Sequence, residues 1–243
     1  MNETSPAAVL EEVRARLRSV PGLEAGHGAI RLAWAEGTLE VEGEVDGVAT
    51  KKQALRAAAS VPEVKAVVDR LRVRPAEPMG DRAIRDHVVH AFLAEPAFAE
   101  LALFERRGDR LDPIRASPID VRGRLEIEVA DGVVTLDGTV PGLDHKRLAG
   151  LLAWWVPGVR DVVNGIAVDP PEEDQDGAIA DACRIALEKD PFIDASQVRV
   201  TVRDRRVTLD GVVPSEDQRR MAEADVWALF GVDEVDNRIL VHR

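Results

Sequence analysis

The 243-residue sequence contains no tyrosine, one cysteine and only 4% aromatic residues. Valine, leucine, isoleucine and alanine must therefore build the core, and a protein that stacks nucleobases on aromatic rings is disfavoured. A single cysteine, Cys183, excludes an intrachain disulfide and any cysteine-based metal cluster. Its neighbours Ala182, Ile185 and Ala186 put it on the apolar face of a helix, as a buried structural thiol. No apolar run approaches the ~20 residues that span a bilayer. The first residues, Met1 to Glu12, lack the basic-then-apolar order of a secretory signal. The expectation is a cytoplasmic protein, with the periplasm as the alternative if the start lies upstream. Positive charge is in deficit, 32 Lys and Arg against 44 Asp and Glu, for a net charge of −12. That balance opposes attraction to phosphate backbones, so no nucleic-acid partner is expected.

What the sequence has is repetition. Thr38–Val73, Val133–Val168 and Arg206–Val241 align without a gap, and the second and third stretches are identical at 17 of 36 positions. Val134-Thr-Leu136-Asp-Gly138-x-Val140-Pro141 matches Val207-Thr-Leu209-Asp-Gly211-x-Val213-Pro214, and Trp154 matches Trp227. Gly158-Val159-x-x-Val162-x-Asn164-x-Ile166-x-Val168 matches Gly231-Val232-x-x-Val235-x-Asn237-x-Ile239-x-Val241. The first copy diverges, with Glu63 and Asp69 at the glycine and asparagine positions.

Local patterns give each copy the same elements. Val9, Val13 and Leu17 recur at helical spacing behind Ser5-Pro6, a capping residue and a proline suited to the first turn. Ile84, Val88 and Phe92 do the same with Asp81 as the expected cap, as do Ile179, Cys183 and Leu187. Period-two alternation then flanks turns at Glu36-Gly37, Asp131-Gly132 and Asp204-Arg205, the signature of a hairpin. A second helix follows, opened in copy three by Ser215 with Gln218 three residues on. It closes at Gly158 and Gly231, where glycine suits a left-handed residue. A last strand ends each copy. The fold class expected is α+β: three tandem modules, each helix–strand–strand–helix–strand, with two helices on one face of a three-stranded mixed sheet. The modules are 1–75, 76–170 and 171–243, with an Arg-, Asp- and Pro-rich surface loop inserted over about 103–124. Their formal charges are 0, −5 and −7.

These motifs resemble the BON domain, a family named for bacterial osmotically induced and nodulation proteins. The resemblance implies a non-enzymatic module. Family members are mostly exported, and are associated with phospholipid binding, envelope integrity and osmotic stress. The absent signal segment departs from that pattern.

Several residues are candidates for more than folding. Lys51-Lys52, Lys146-Arg147 and Arg219-Arg220 occupy the same two positions early in each second helix, where the macrodipole does not favour positive charge. They are the candidate phosphate or anionic-headgroup site, at about 1 kcal/mol per cation near an anionic membrane. The alternative is a set of solvated positions neutralised by Asp144 and Asp217. Trp155 aligns with Ser60 and Ala228 and is expected at an inter-copy contact or a ligand surface. Gly43, Gly138 and Gly211 lie singly inside strands and lack the Lys and Ser/Thr of a phosphate loop, so close approach of a helix is their expected reason. Asn164 and Asn237 share the phase of apolar strand residues and are expected to satisfy backbone groups there. His27, His87, His90, His145 and His242 form no constellation, and His87 with His90 lack a third ligand. No nucleophile, acid–base pair, metal site or cofactor motif is present. The expected function is a binding or scaffold protein. Its partner is either anionic phospholipid at a membrane surface or another protein, as an adaptor in stress response.

Overall fold

The computed structural model describes residues 5–23, 30–115 and 121–242. The chain forms two compact units, Met1–Pro75 and Ala76–Arg243.

The first unit is copy one alone: helix α1 (Pro6–Leu17), strands β1 (Arg31–Ala35) and β2 (Thr38–Val45), helix α2 (Val48–Ala59) and strand β3 (Ala66–Val73). The Ser5 side chain accepts a hydrogen bond from the Ala8 N–H, and Pro6 takes the first helical position. β1 and β2 run antiparallel and β3 joins β2 in parallel. Val9, Val13 and Leu17 of α1 close over Leu39, Val41 and Leu71 of the sheet. The small residues Ala54 and Ala58 of α2 share that core.

The second unit holds copies two and three. Copy two comprises α3 (Asp81–Ala94), β4 (Leu101–Arg107), β5 (Arg110–Arg115), β6 (Gly123–Ala130), β7 (Val133–Val140), α4 (Leu143–Trp154), β8 (Asp161–Asn164) and β9 (Ala167–Val168). Copy three comprises α5 (Asp176–Lys189), β10 (Val198–Arg203), β11 (Arg206–Val213), α6 (Glu216–Ala228) and β12 (Glu234–Val241). Its sheet repeats copy one's order, β10-β11-β12, again antiparallel then parallel. Helix α4 packs on both α5 and α6, which joins the two copies.

Copy two departs from the expected three strands. Residues read as the start of a surface loop form β4 and β5, an antiparallel hairpin, and β4 lies parallel to β6. The sheet becomes β5-β4-β6-β7-β8, with β9 completing the last strand. Leu101 and Leu103 are 1% and 0% exposed, so this is core and not a loop. The apolar run Leu101-Ala-Leu-Phe104 drives the pairing, while the charges cluster around the Gly108-Asp109 turn. The tail of the insertion, 116–120, lies outside the described residues.

Asp81 also has another role than the one expected. Gly80 is the N-cap of α3, and Asp81 accepts hydrogen bonds of 2.9 and 2.8 Å from the N–H groups of Asp131 and Gly132. Asp176 holds Asp204 and Arg205 in the same way, at 2.7 and 2.9 Å. In copies two and three the first helix thus pins the hairpin turn of its own copy, whose backbone has positive φ at both central residues. Ser215 caps α6 as its spacing predicts, accepting from the Gln218 N–H. Gln218 completes no reciprocal box, because its side chain donates to the Phe192 carbonyl.

Candidate functional site

The aligned cations do not share one environment. Lys51 is 4% exposed; its ammonium pairs with Asp69 at 2.8 Å and donates to the Leu71 carbonyl at 2.6 Å. Lys52 is half-buried. Arg147 is 2% exposed: it leaves α4, donates to the Phe230 carbonyl at 3.0 Å and forms an ion pair with Asp174. Lys146 lies 4.2 Å from the centre of the Phe230 ring, and desolvation pulls its ammonium below the usual range. Arg219 holds Glu216 at 2.9 Å and Arg220 holds Asp217 at 2.5 Å, both within the first turns of α6. Two of the six positions are therefore interior, and a headgroup surface could draw only on Lys52, Lys146, Arg219 and Arg220.

The buried Lys51 has a local cause in the strand asparagine. In copies two and three Asn164 and Asn237 donate to the carbonyls of Lys146 and Arg219, at 2.8 and 2.9 Å. Each also accepts from the N–H two residues on, in Ile166 and Ile239. The asparagine ties the second helix to the last strand. Asp69 of copy one keeps the acceptor half, taking the Leu71 N–H at 2.9 Å, but cannot donate. Lys51, aligned with Lys146 and Arg219, supplies the missing donor from its side chain.

The strand glycines answer to a strand and not to a helix. A Cβ on Gly138 would overlap the carbonyl oxygen of Arg124, at the start of β6, and one on Gly211 that of Gln197, the residue just before β10. Both have positive φ, as does Gly43 of copy one. Gly158 and Gly231 also have positive φ but lie beyond the ends of α4 and α6, where the chain turns toward the last strand. Gly231 leaves room for the carboxylate of Asp174.

Copies two and three meet through polar contacts that the repeat alignment could not supply. The Trp155 indole N–H donates to Asp225 at 2.7 Å. Asp225 is buried beside Asp190; burial first, then that neighbour, push its carboxyl up to about 8. Glu172, in the junction between the copies, accepts the Leu143 N–H at 2.9 Å and so caps α4. Lys189 reaches Glu95 at 2.9 Å. Asp225 aligns with Leu152 and Ala57, so a carboxylate replacing aliphatic residues was the signal that could have found it. Beside this junction a cleft of about 570 Å³ has Leu148, Leu151, Ala182 and Ile185 among its lining residues. Its charged rim is occupied: Asp181 by Arg184, Lys189 by Glu95, Arg147 by Asp174. Burial pushes the Cys183 thiol up to about 12, which fits a packing role. Among the described residues no group of three metal-ligating side chains occurs, and no helix is long and apolar enough to cross a membrane. His27 lies outside the described residues.

Comparison with known proteins adds a family. The family model for the BON domain matches residues 7–75, 115–170 and 175–243, the second match beginning at the end of the inserted hairpin. Two solved chains of CdsD, a structural protein of the type III secretion system of Chlamydia trachomatis, are also similar to this chain. One, its C-terminal domain, is 14% identical, covers 99% of this chain and 100% of its own, and superposes with a TM-score of 0.25. The other is 14% identical over 96% of this chain and 92% of its own, again with a TM-score of 0.25. Superposition this loose carries no argument. No curated protein matches.

Proposed function

We propose a binding role on the premise that this chain belongs to the BON domain family, three copies in tandem. In this reading the protein is a non-enzymatic scaffold that acts through protein–protein contact. The observation that carries it is the fate of the aligned cations. Lys51 and Arg147 are consumed inside the fold, and Arg219 and Arg220 hold carboxylates of their own helix. A surface for anionic headgroups needs cations that are solvated and available, and the net charge of −12 opposes it further. The fusion of copies two and three into one unit with an enlarged sheet supports a rigid body that presents sheet edges.

Association with anionic phospholipid is the rival reading. It rests on Lys52, Lys146, Arg219 and Arg220, and on the formal neutrality of the first unit. Co-sedimentation of the full chain with phosphatidylglycerol and phosphatidylcholine vesicles, at low and physiological salt, separates the two. The scaffold reading expects the protein to stay in the supernatant throughout. Salt-sensitive sedimentation with the anionic vesicles, lost when those four residues become Gln, would move the function to a lipid surface.

A further inference from the structure

We infer that the outer edge of β10, in copy three, is a docking site for an extended segment of a partner protein, which adds to the sheet parallel to β10. The inference rests on the scaffold reading and names where that contact occurs. Copy two supplies the precedent, because there the chain fills the equivalent edge itself. β4 lies parallel to β6 with Leu103 opposite Leu125, Phe104 opposite Glu126 and Glu105 opposite Ile127. The repeat alignment places Val198 at Leu125, Arg199 at Glu126 and Val200 at Ile127. Among the described residues β10 has β11 on one side and no strand on the other.

Its backbone is set for pairing. The two-residue turn at Asp204-Arg205, positive in φ at both positions, makes Arg203 and Arg206 the closing pair of the hairpin. Alternation along an antiparallel ladder then aims the N–H and C=O of Val198, Val200 and Val202 away from β11. Unpaired strand edges of this kind recruit extended chains.

Two side-chain features say what fits. A cavity of about 380 Å³ opens beside the edge, lined by Leu187, Ile193 and Val198 with Arg184 and Glu188 of α5. In copy two the residues aligned with Leu187 and Ile193 are Phe92 and Phe98, whose rings meet edge-to-face at 5.2 Å, and Leu101 and Leu103 of β4 pack into the same core. Copy three has smaller side chains and no added strand, which leaves a space for an aliphatic residue at the Leu103 position. On the open face of the sheet, Glu126 of β6 is 2% exposed and paired with Arg106 of β4. The aligned Arg199 stands exposed, with Arg203 four residues on along the same face of the strand. Charge complementarity is therefore inverted: the incoming strand carries a carboxylate where β4 carries Arg106. The partner segment is extended, with an aliphatic residue followed three positions later by Asp or Glu.

The test uses the full chain and two capped peptides: the sequence of residues 100–107, which contains β4, and the same peptide with Arg106→Glu. Amide chemical shifts of the labelled protein report the site. The altered peptide should shift Val198, Val200 and Val202 and bind about fivefold tighter than the unaltered one, the scale of one exposed charge pair replacing a like-charge contact. Arg199→Glu should reverse that order. Val200→Pro removes an N–H that the fold does not use, so it should abolish binding of both while the circular dichroism spectrum holds. Silence of the β10 amides at millimolar peptide, or a preference indifferent to Arg199→Glu, overturns the docking site. Such a result with vesicle sedimentation still negative leaves the scaffold reading in place. Salt-sensitive vesicle binding sinks that reading whatever the peptides do.

Discussion

Arg147 and Arg220 are the same residue at the same position of two copies identical at 17 of 36 sites, yet one is interior and the other is 66% exposed at its side chain. Backbone placement is a property of the repeat; the burial of Arg147 is a property of what the neighbouring copy brings. α4 faces α5, α6 and the junction residue Asp174, whereas the Arg220 side chain stands out from α6 into solvent. The largest expected effect tests this contrast. Arg147→Ala leaves Asp174 without its partner in a site only 14% exposed, and should cost about 3–5 kcal/mol. Arg220→Ala breaks an exposed pair within one helix and should cost at most about 0.5 kcal/mol. Urea unfolding followed by tryptophan fluorescence reads both, since Trp154, Trp155 and Trp227 lie in the second unit. Similar midpoints for the two variants would break the contrast.

The second contrast is between the two sheet edges of the same unit, one covered by β4 and one bare. Leu103→Ala should cost about 2–5 kcal/mol, the range for a buried leucine, where a residue of a solvated loop would cost almost nothing. A loss below about 1 kcal/mol, in the same fluorescence assay, would return the insertion to the surface.

That insertion also shows where sequence reasoning stopped. The helices, the hairpins and the last strands announce themselves through spacing of three to four, alternation of two and the turn residues between them. Those signals are local, and the elements fall where they point. β4 offers four apolar residues in a run of charges, and its burial depends on β6, whose pairing begins 22 residues away, from Leu101 to Gly123. Arg147 was read as one of six equivalent cations because nothing near it marks Asp174 and Phe230 as its partners. Trp155 drew notice for the opposite reason: Ser60 and Ala228 at the aligned positions show that the module itself does not need an indole there. Differences between copies mark the junction better than their identities do.

Copy one and the other two copies solve the same bond differently, which sets the third prediction. Lys51→Ala strands Asp69, a third exposed, and should cost about 2 kcal/mol. Asp69→Asn restores the donor used by copies two and three and lets Lys51 turn toward solvent, so it should cost less. Combined, the two changes should lose less than the sum of the singles, with a coupling of about 1–2 kcal/mol in a double-mutant cycle on the full chain. Strict additivity would mean that Lys51 does not substitute for the asparagine.

The last contrast sets Asp225 against Leu152, its counterpart on α4. An aliphatic residue there is indifferent to pH, whereas the carboxyl of Asp225 is raised from 3.8 to about 8, chiefly by burial. Below pH 3.8 the group is protonated in both folded and unfolded chains, and its stabilising contribution is complete. Between there and about pH 8 the folded chain keeps a proton that the unfolded chain has released, so stability falls as pH rises. The slope for one proton reaches about 1.4 kcal/mol per pH unit, and it vanishes once Asp225 ionises in both states. Asp225→Asn preserves the shape, accepts the Trp155 N–H and can donate toward Asp190 without titrating. Urea midpoints measured from pH 5 to 9 should therefore fall more steeply in the native chain than in Asp225→Asn, with the two curves diverging up to about pH 8 and running parallel above it. Curves parallel throughout would mean that the proton is not held there, and that Asp225 accepts the Trp155 N–H as a carboxylate across the whole range.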